Sequence, residues 1–190
     1  MFTLPTALTW ARILLIPLFV GVFFLPAHAL TFHEKNLIAT VVFVVAALTD
    51  WLDGYLARTL NQTSAFGAFL DPVADKLMVA AALIMLVELD RTSTVIALII
   101  IGREITISAL REWMAKVGAS RSVAVSMIGK IKTTAQMIAI PMLLYFDPLF
   151  GVDVAAIGGK LIWVAAVLTV WSMVYYMRKA WPELRARKAV

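Results

Sequence analysis

Four aspartates on two closely spaced segments are the residues of this chain best suited to chemistry. The first segment reads Asp50-Trp-Leu-Asp53-Gly54-Tyr-Leu-Ala57-Arg58, the second Gly67-Ala-Phe-Leu-Asp71-Pro-Val-Ala-Asp75-Lys76. Within each, Asp50, Asp53, Gly54 and Ala57, and then Gly67, Asp71 and Asp75, recur every three or four positions, which places them along one helical face. Ionised carboxylates gathered in a low-dielectric site repel one another and are costly to desolvate. Protonation relieves this, as in proton-translocating chains. Divalent cations relieve it better, and an all-oxygen ligand set suits Mg²⁺ or Mn²⁺. Gly54 and Gly67 leave room for a bulky ligand to reach the backbone, or for two helices to pack closely.

The elements that must position these residues are membrane helices. Of 190 residues, 62% are apolar and 15% charged, far from the roughly 45–50% and 25% of soluble domains. Disorder is excluded by the same figures. Apolar runs at about 11–30, 37–59, 72–90, 94–115, 122–146 and 155–178 predict an all-α bundle of six crossings in one domain covering 1–190, at about 20 residues per crossing. Pro26-Ala27-His28-Ala29 resembles a signal-cleavage site, but the first eleven residues hold no Lys or Arg, so we read the first helix as retained. Those residues are expected to form a short interfacial segment, with Trp10 and Arg12 as anchors.

Alternation across six spans places fourteen Lys and Arg on one side and only Lys35, Arg91 and Lys160 on the other. The basic side is the cytoplasmic one, so both termini are expected there. The net charge of +5 points to anionic lipid, not nucleic acid. With no cysteine, thiolate catalysis and thiolate-bound metals are excluded. For a second helix starting near Asn36, Asp50 lies about 21 Å along it, toward the cytoplasmic end of a core about 30 Å thick. The third helix runs back from that end, so all four carboxylates meet at one depth.

The pattern Asp-x-x-Asp-Gly-x-x-Ala-Arg, eight residues, then Gly-x-x-x-Asp-x-x-x-Asp resembles the motif of the CDP-alcohol phosphotransferases, and all eight specified positions are filled. Leu4–Arg12, Gly102–Trp113 and Gly129–Gln136 extend the likeness over nearly the whole chain, toward the bacterial members that use a glycerol phosphate acceptor. The resemblance implies that CDP-diacylglycerol and sn-glycerol 3-phosphate react to give phosphatidylglycerophosphate and CMP. It further implies two divalent ions (Mg²⁺ or Mn²⁺) on Asp50, Asp53, Asp71 and Asp75, with Asp75 also the general base. Spacing alone does not separate Asp75 from Asp71 in that role. Gly54, Ala57, Arg58, Gly67 and Thr9 would bind the CDP-lipid. A homodimer in the bacterial inner membrane, active toward the cytoplasm, is expected.

A phosphorylated acceptor asks for a second basic site. Arg103 and Arg111, eight residues apart on one face of the fourth helix, and Lys130 and Lys132 on the fifth are the candidates. Glu104, Ser108 and Glu112 form the adjacent stripe and answer some of that charge. Residues two apart diverge by about 200°, so only one of the lysines is expected to face the cleft; Gln136, one turn on, is a lining candidate. His28 and His33 look like outer-loop residues without acidic partners. Trp163, Trp171, Tyr175 and Tyr176 read as lipid-facing or interfacial. Two alternatives stay open: the same chemistry with inositol phosphate, serine or phosphatidylglycerol as acceptor, and a divalent-ion or proton transporter.

Overall fold

The apolar runs fold as six helices in this computed structural model, which describes residues 4–59, 65–116, 118 and 127–186. They are α1 (Leu4–Phe24), α2 (Phe32–Thr59), α3 (Ala65–Glu88), α4 (Thr94–Lys116), α5 (Met127–Tyr145) and α6 (Val154–Ala186). The all-helical expectation is met, with shifted ends. The helix expected over 11–30 starts at Leu4 and stops at Phe24, because Pro26 disfavours helical geometry at Leu25. The segment read as a separate interfacial piece is therefore continuous with α1. At α2, Thr31 and Glu34 form a capping box: the Thr31 backbone N–H donates to Glu34 Oε2 (2.7 Å), and the Glu34 N–H donates back to Thr31 Oγ1 (3.3 Å). This reciprocal cap starts the helix at Phe32, so Asp50 lies about 27 Å along it.

Neighbouring helices contact in the order α1–α2–α5–α6–α4–α3 and back to α1, and α3 also touches α2 and α5. The helix carrying Asp71 and Asp75 thus has α1, α2, α4 and α5 around it. Phe19, Phe43, Met78, Leu83, Ile100, Ile140 and Leu143 belong to one buried apolar cluster. Helical hydroxyls bond their own backbone: Thr169 donates to Ala165 O (2.6 Å) and Thr106 to Gly102 O (2.7 Å). Each such bond hides a donor from apolar surroundings.

The end remote from the aspartates is closed by polar contacts. At the end of α3, Asp90 takes the left-handed conformation (φ 55°), with Asp90 N bonded to Val87 O and Arg91 N to Leu86 O. These paired bonds stop the helix. The Arg91 guanidinium then donates to Leu143 O (3.1 Å), Leu144 O (2.7 Å) and Asn36 Oδ1 (2.8 Å), and it stacks 4.3 Å from the Phe146 ring. A single side chain thereby satisfies the last carbonyls of α5 and ties them to α2. His33, read as having no acidic partner, contacts Asp147 at 2.8 Å; the two are 114 positions apart, beyond the reach of local spacing.

Among the described residues, three stretches are long and apolar enough to cross a membrane by themselves: Ala7–Phe24, Phe32–Asp50 and Val154–Pro182. Helices α3, α4 and α5 carry more charge along their length: Asp71, Asp75 and Lys76; Arg103, Glu104 and Arg111; and Lys130 and Lys132.

The α5–α6 contact depends on Gly158. A Cβ there would sit 3.0 Å from Met142 Cβ and 3.1 Å from Leu143 Cγ, whereas one at Gly159 would meet nothing within 4 Å. Gly158→Val should destabilise the folded protein by about 1–3 kcal/mol through overpacking. Gly159→Ala should leave stability nearly unchanged. Thermal denaturation of both variants in detergent checks the contrast.

Candidate active site

The site lies where the start of α1, the end of α2 and the start of α3 meet, facing the second half of α4 and the first half of α5. Arg12 reaches Asp50 across the α1–α2 contact, Nη1 to Oδ1 at 2.7 Å. Its side chain is 2% exposed, so the expected interfacial anchor is instead a buried partner of the carboxylates. The correction is physical. Three turns into α1, Arg12 is level with the end of antiparallel α2, and a carboxylate is there to meet it. Trp10 on the same helix is exposed, in keeping with an anchor. Thr9, fully buried, donates its hydroxyl to Asp71 Oδ1, so α1 supports one carboxylate on each of its neighbours.

Asp50 and Asp75 line one cavity of about 220 Å³, with Lys76, Val79, Glu104, Thr133, Gln136 and Met137 completing its described walls. The charges that act on Asp75 belong to Asp50, Arg12, Glu104 and Lys76. Two of the four carboxylates expected at one depth, one from each helix, thus border a single cavity. Gly67 is buried in the first turn of α3. The side chains of Asp53, Ala57 and Arg58, and the surroundings of Gly54, lie outside the described residues. Among those described, no three His, Asp or Glu side chains form a metal-sized group. The donor chemistry is nevertheless that of a hard cation: oxygen only, from Asp50, Asp71 and Asp75, at one end of an otherwise apolar bundle.

On the facing side, Arg103 and Lys132 are buried and share Glu104. Arg103 Nη1 lies 3.4 Å from Glu104 Oε1, and the Lys132 ammonium donates to the same oxygen. Of the two lysines, Lys132 points inward at 1% exposure, while Lys130 is exposed. The divergence expected for residues two apart decides between them.

Arg103 and Arg111 stand 5.6 and 5.3 Å from the centroid of one ring, that of Tyr176. Read from the sequence as lipid-facing or interfacial, Tyr176 is in fact fully buried beside Ile107 and Met114. An aromatic face attracts both guanidiniums and holds two like charges near one another. Trp163 and Trp171 are exposed as expected, and Tyr175 is half-buried. Arg12, Glu104 and Tyr176 are the participants that sequence reasoning placed elsewhere or gave a lesser part. Arg12 and Glu104 carried a readable signal, since charge inside an apolar helix needs a partner at its own depth.

The sequence pattern of the CDP-alcohol phosphatidyltransferase family matches residues 2–171. Proteins named CDP-diacylglycerol–glycerol-3-phosphate 3-phosphatidyltransferase are similar over nearly their whole length. The one from Escherichia coli (strain K12) is 52% identical over 185 residues, 96% of this chain and 97% of its own. That from Salmonella typhimurium (strain LT2) is 51% identical with the same coverage. That from Haemophilus influenzae is 51% identical over 181 residues, 94% of each chain. The aspartates that stood out by spacing, and that α2 and α3 bring to one end of the bundle, are thus set in a sequence alike from end to end: the chain belongs to the CDP-alcohol phosphatidyltransferase family.

Proposed function

We propose that the protein transfers the phosphatidyl group of CDP-diacylglycerol to sn-glycerol 3-phosphate, forming phosphatidylglycerophosphate and CMP in phospholipid synthesis. The observation that supports this acceptor is the basic group of buried Arg103 and Lys132 with half-buried Arg111, joined through Glu104 to the cavity of Asp50 and Asp75. A phosphate dianion fits such a group, and serine lacks the charge to match it. The carboxylates gathered at one end, with apolar packing beyond, also favour transfer chemistry over a transport path.

In the reaction, an acceptor hydroxyl oxygen bonds to the phosphorus bearing diacylglycerol, the bond from that phosphorus to the pyrophosphate bridge breaks, and CMP departs. Asp75 takes the hydroxyl proton; it lines the same cavity as Glu104, the partner of Arg103 and Lys132. Asp50, Asp53, Asp71 and Asp75 would hold Mg²⁺ or Mn²⁺, two ions in all, supplying positive charge to the pyrophosphate oxygens and to the departing CMP. Arg12 and Thr9 fix Asp50 and Asp71 from behind. Arg58 pairs with a nucleotide phosphate as a planar donor, and Gly54, Ala57, Gly67 and Thr9 border the nucleotide. Arg103, Arg111 and Lys132 bind the acceptor phosphate, and Lys130 steers it from the exposed side.

All six helices cross a bacterial inner membrane as one domain, both termini and the site being cytoplasmic. The fourteen-to-three distribution of basic residues supports this side. The working unit is a homodimer. The deciding experiment offers purified protein CDP-diacylglycerol with glycerol phosphate, inositol phosphate, serine or phosphatidylglycerol and measures CMP release. Release with glycerol phosphate alone is expected. Release with none returns the transporter reading.

Three outcomes should accompany that result. Chelation should stop CMP release and Mg²⁺ or Mn²⁺ restore it; Asp50→Asn and Asp71→Asn should each abolish turnover while insertion persists, as read by activity and detergent gel filtration. Arg111→Ala or Lys132→Ala should raise KM for glycerol phosphate more than KM for the CDP-lipid, and Arg58→Ala should do the reverse, as steady-state titrations will show. Asp75→Asn should lower kcat by about 10²–10⁴-fold, the usual worth of general-base assistance, while CDP-lipid binding measured by calorimetry is largely kept.

A further inference from the structure

Gln136 is a polar side chain of the cavity wall that neither the phosphate group nor the carboxylate group employs. It is 3% exposed, and its Oε1 has no hydrogen-bond partner among the described residues. Other polar groups around the same cavity are engaged: Asp50 by Arg12, Glu104 by Lys132, and the Thr133 hydroxyl by Gly129 O. A buried amide oxygen left without a partner costs about 1–3 kcal/mol. An apolar residue of similar size would avoid that cost. The residue therefore stands ready for something that enters the cavity.

Its position indicates what. Lys132 lies one helical turn earlier on the same face of α5, about 6 Å along the axis, and Asp75 borders the cavity that Gln136 lines. An acceptor with its phosphate at Lys132 and its reacting hydroxyl at Asp75 would pass Gln136, which borders the same cavity as Asp75. Glycerol phosphate carries those groups on its two terminal carbons and a second hydroxyl on the middle one. In that pose the middle hydroxyl would be the group nearest the carboxamide.

We infer that Gln136 is a specificity-determining residue that accepts a hydrogen bond from the middle hydroxyl of a three-carbon acceptor phosphate. The inference rests on the glycerol phosphate reading of this site and deepens it. The residue touches substrate but no reacting atom, so it selects the acceptor without moving the proton. An acceptor lacking the middle hydroxyl leaves Oε1 unpaired in the complex. One with the hydroxyl in mirror-image configuration turns it away from the amide. Sites built to bond a hydroxyl reject analogues without it far more strongly than apolar pockets reject one extra group.

The test compares three acceptors: sn-glycerol 3-phosphate, its enantiomer sn-glycerol 1-phosphate, and 3-hydroxypropyl phosphate, which has no middle hydroxyl. Wild-type protein should favour the first over the third by at least about 10–100-fold in kcat/KM, the equivalent of one unmet buried polar group. It should also prefer the first to its enantiomer. Gln136→Met keeps the length and removes the amide. It should lower kcat/KM for sn-glycerol 3-phosphate toward that of 3-hydroxypropyl phosphate, leave the latter nearly unchanged, and leave KM for CDP-diacylglycerol unchanged. Equal losses on both acceptors, or a loss confined to CDP-diacylglycerol, overturn the inference. Should Gln136→Met fail to fold, the wild-type comparison decides by itself, because indifference to the middle hydroxyl refutes the assignment. Wild-type protein that is active with glycerol phosphate but indifferent to the hydroxyl refutes only this inference. Inactivity with every acceptor refutes the reading beneath it.

Discussion

The ion pair between Arg12 and Asp50 is the contact on which the arrangement of the site depends. Carboxylates cannot accumulate at the end of an apolar bundle without compensating charge, since each loses hydration and repels its neighbours. Arg12, nearly inaccessible to solvent, supplies that charge from a third helix. With Thr9 on Asp71, it makes α1 the brace that sets α2 and α3 in register. A buried pair of this kind is weak evidence for added stability, because desolvation offsets the attraction, but losing one partner leaves an uncompensated charge. Its value here lies in fixing where the two carboxylates stand before substrate arrives.

The same logic repeats across the cavity with the signs reversed. Arg103, Arg111 and Lys132 form a positive group, and Glu104 and the face of Tyr176 hold it together. In the reaction proposed above, an acceptor phosphate entering this group would replace part of what Glu104 supplies. The donors are already oriented, so less reorganisation is needed when substrate binds. The central helix α3 makes the two halves adjacent, since it touches α1 and α2 on one side and α4 and α5 on the other.

Much of this was legible from periodicity. The aspartate faces, their common depth and the divergence of Lys130 from Lys132 all follow from 3.6 residues per turn. The helices place Asp50, Asp71 and Asp75 at one end of the bundle and separate the two lysines, while the side chain of Asp53 lies outside the described residues. What escaped was contact between helices. Arg12 looks like an anchor until α2 presents Asp50 beside it. Tyr176 resembles the exposed aromatics of its own helix, Trp163 and Trp171, because only the packing of α4 on α6 distinguishes them. His33 and Asp147 meet across 114 positions. The start of α2 was missed for a local reason: the Thr31–Glu34 capping box precedes the apolar run and shows in no hydrophobic pattern. Helices α3 to α5 fall short of membrane-crossing apolarity because of the charges along their length.

The apolar layer that separates the site from the Arg91 end has a consequence for the energetics of the cell. Phe43, Ala46, Met78, Ala82, Leu83 and Ile140 are all buried there, and none offers a hydrogen bond to water. An energised membrane imposes about 2.3 kcal/mol per elementary charge for each 100 mV, and a chain of water molecules through a protein would discharge it. In the spanning orientation proposed above, ions and water reach the catalytic end while this layer stands in series with them as an electrical insulator. In that orientation the protein can keep a highly charged cavity inside a membrane that must hold a voltage.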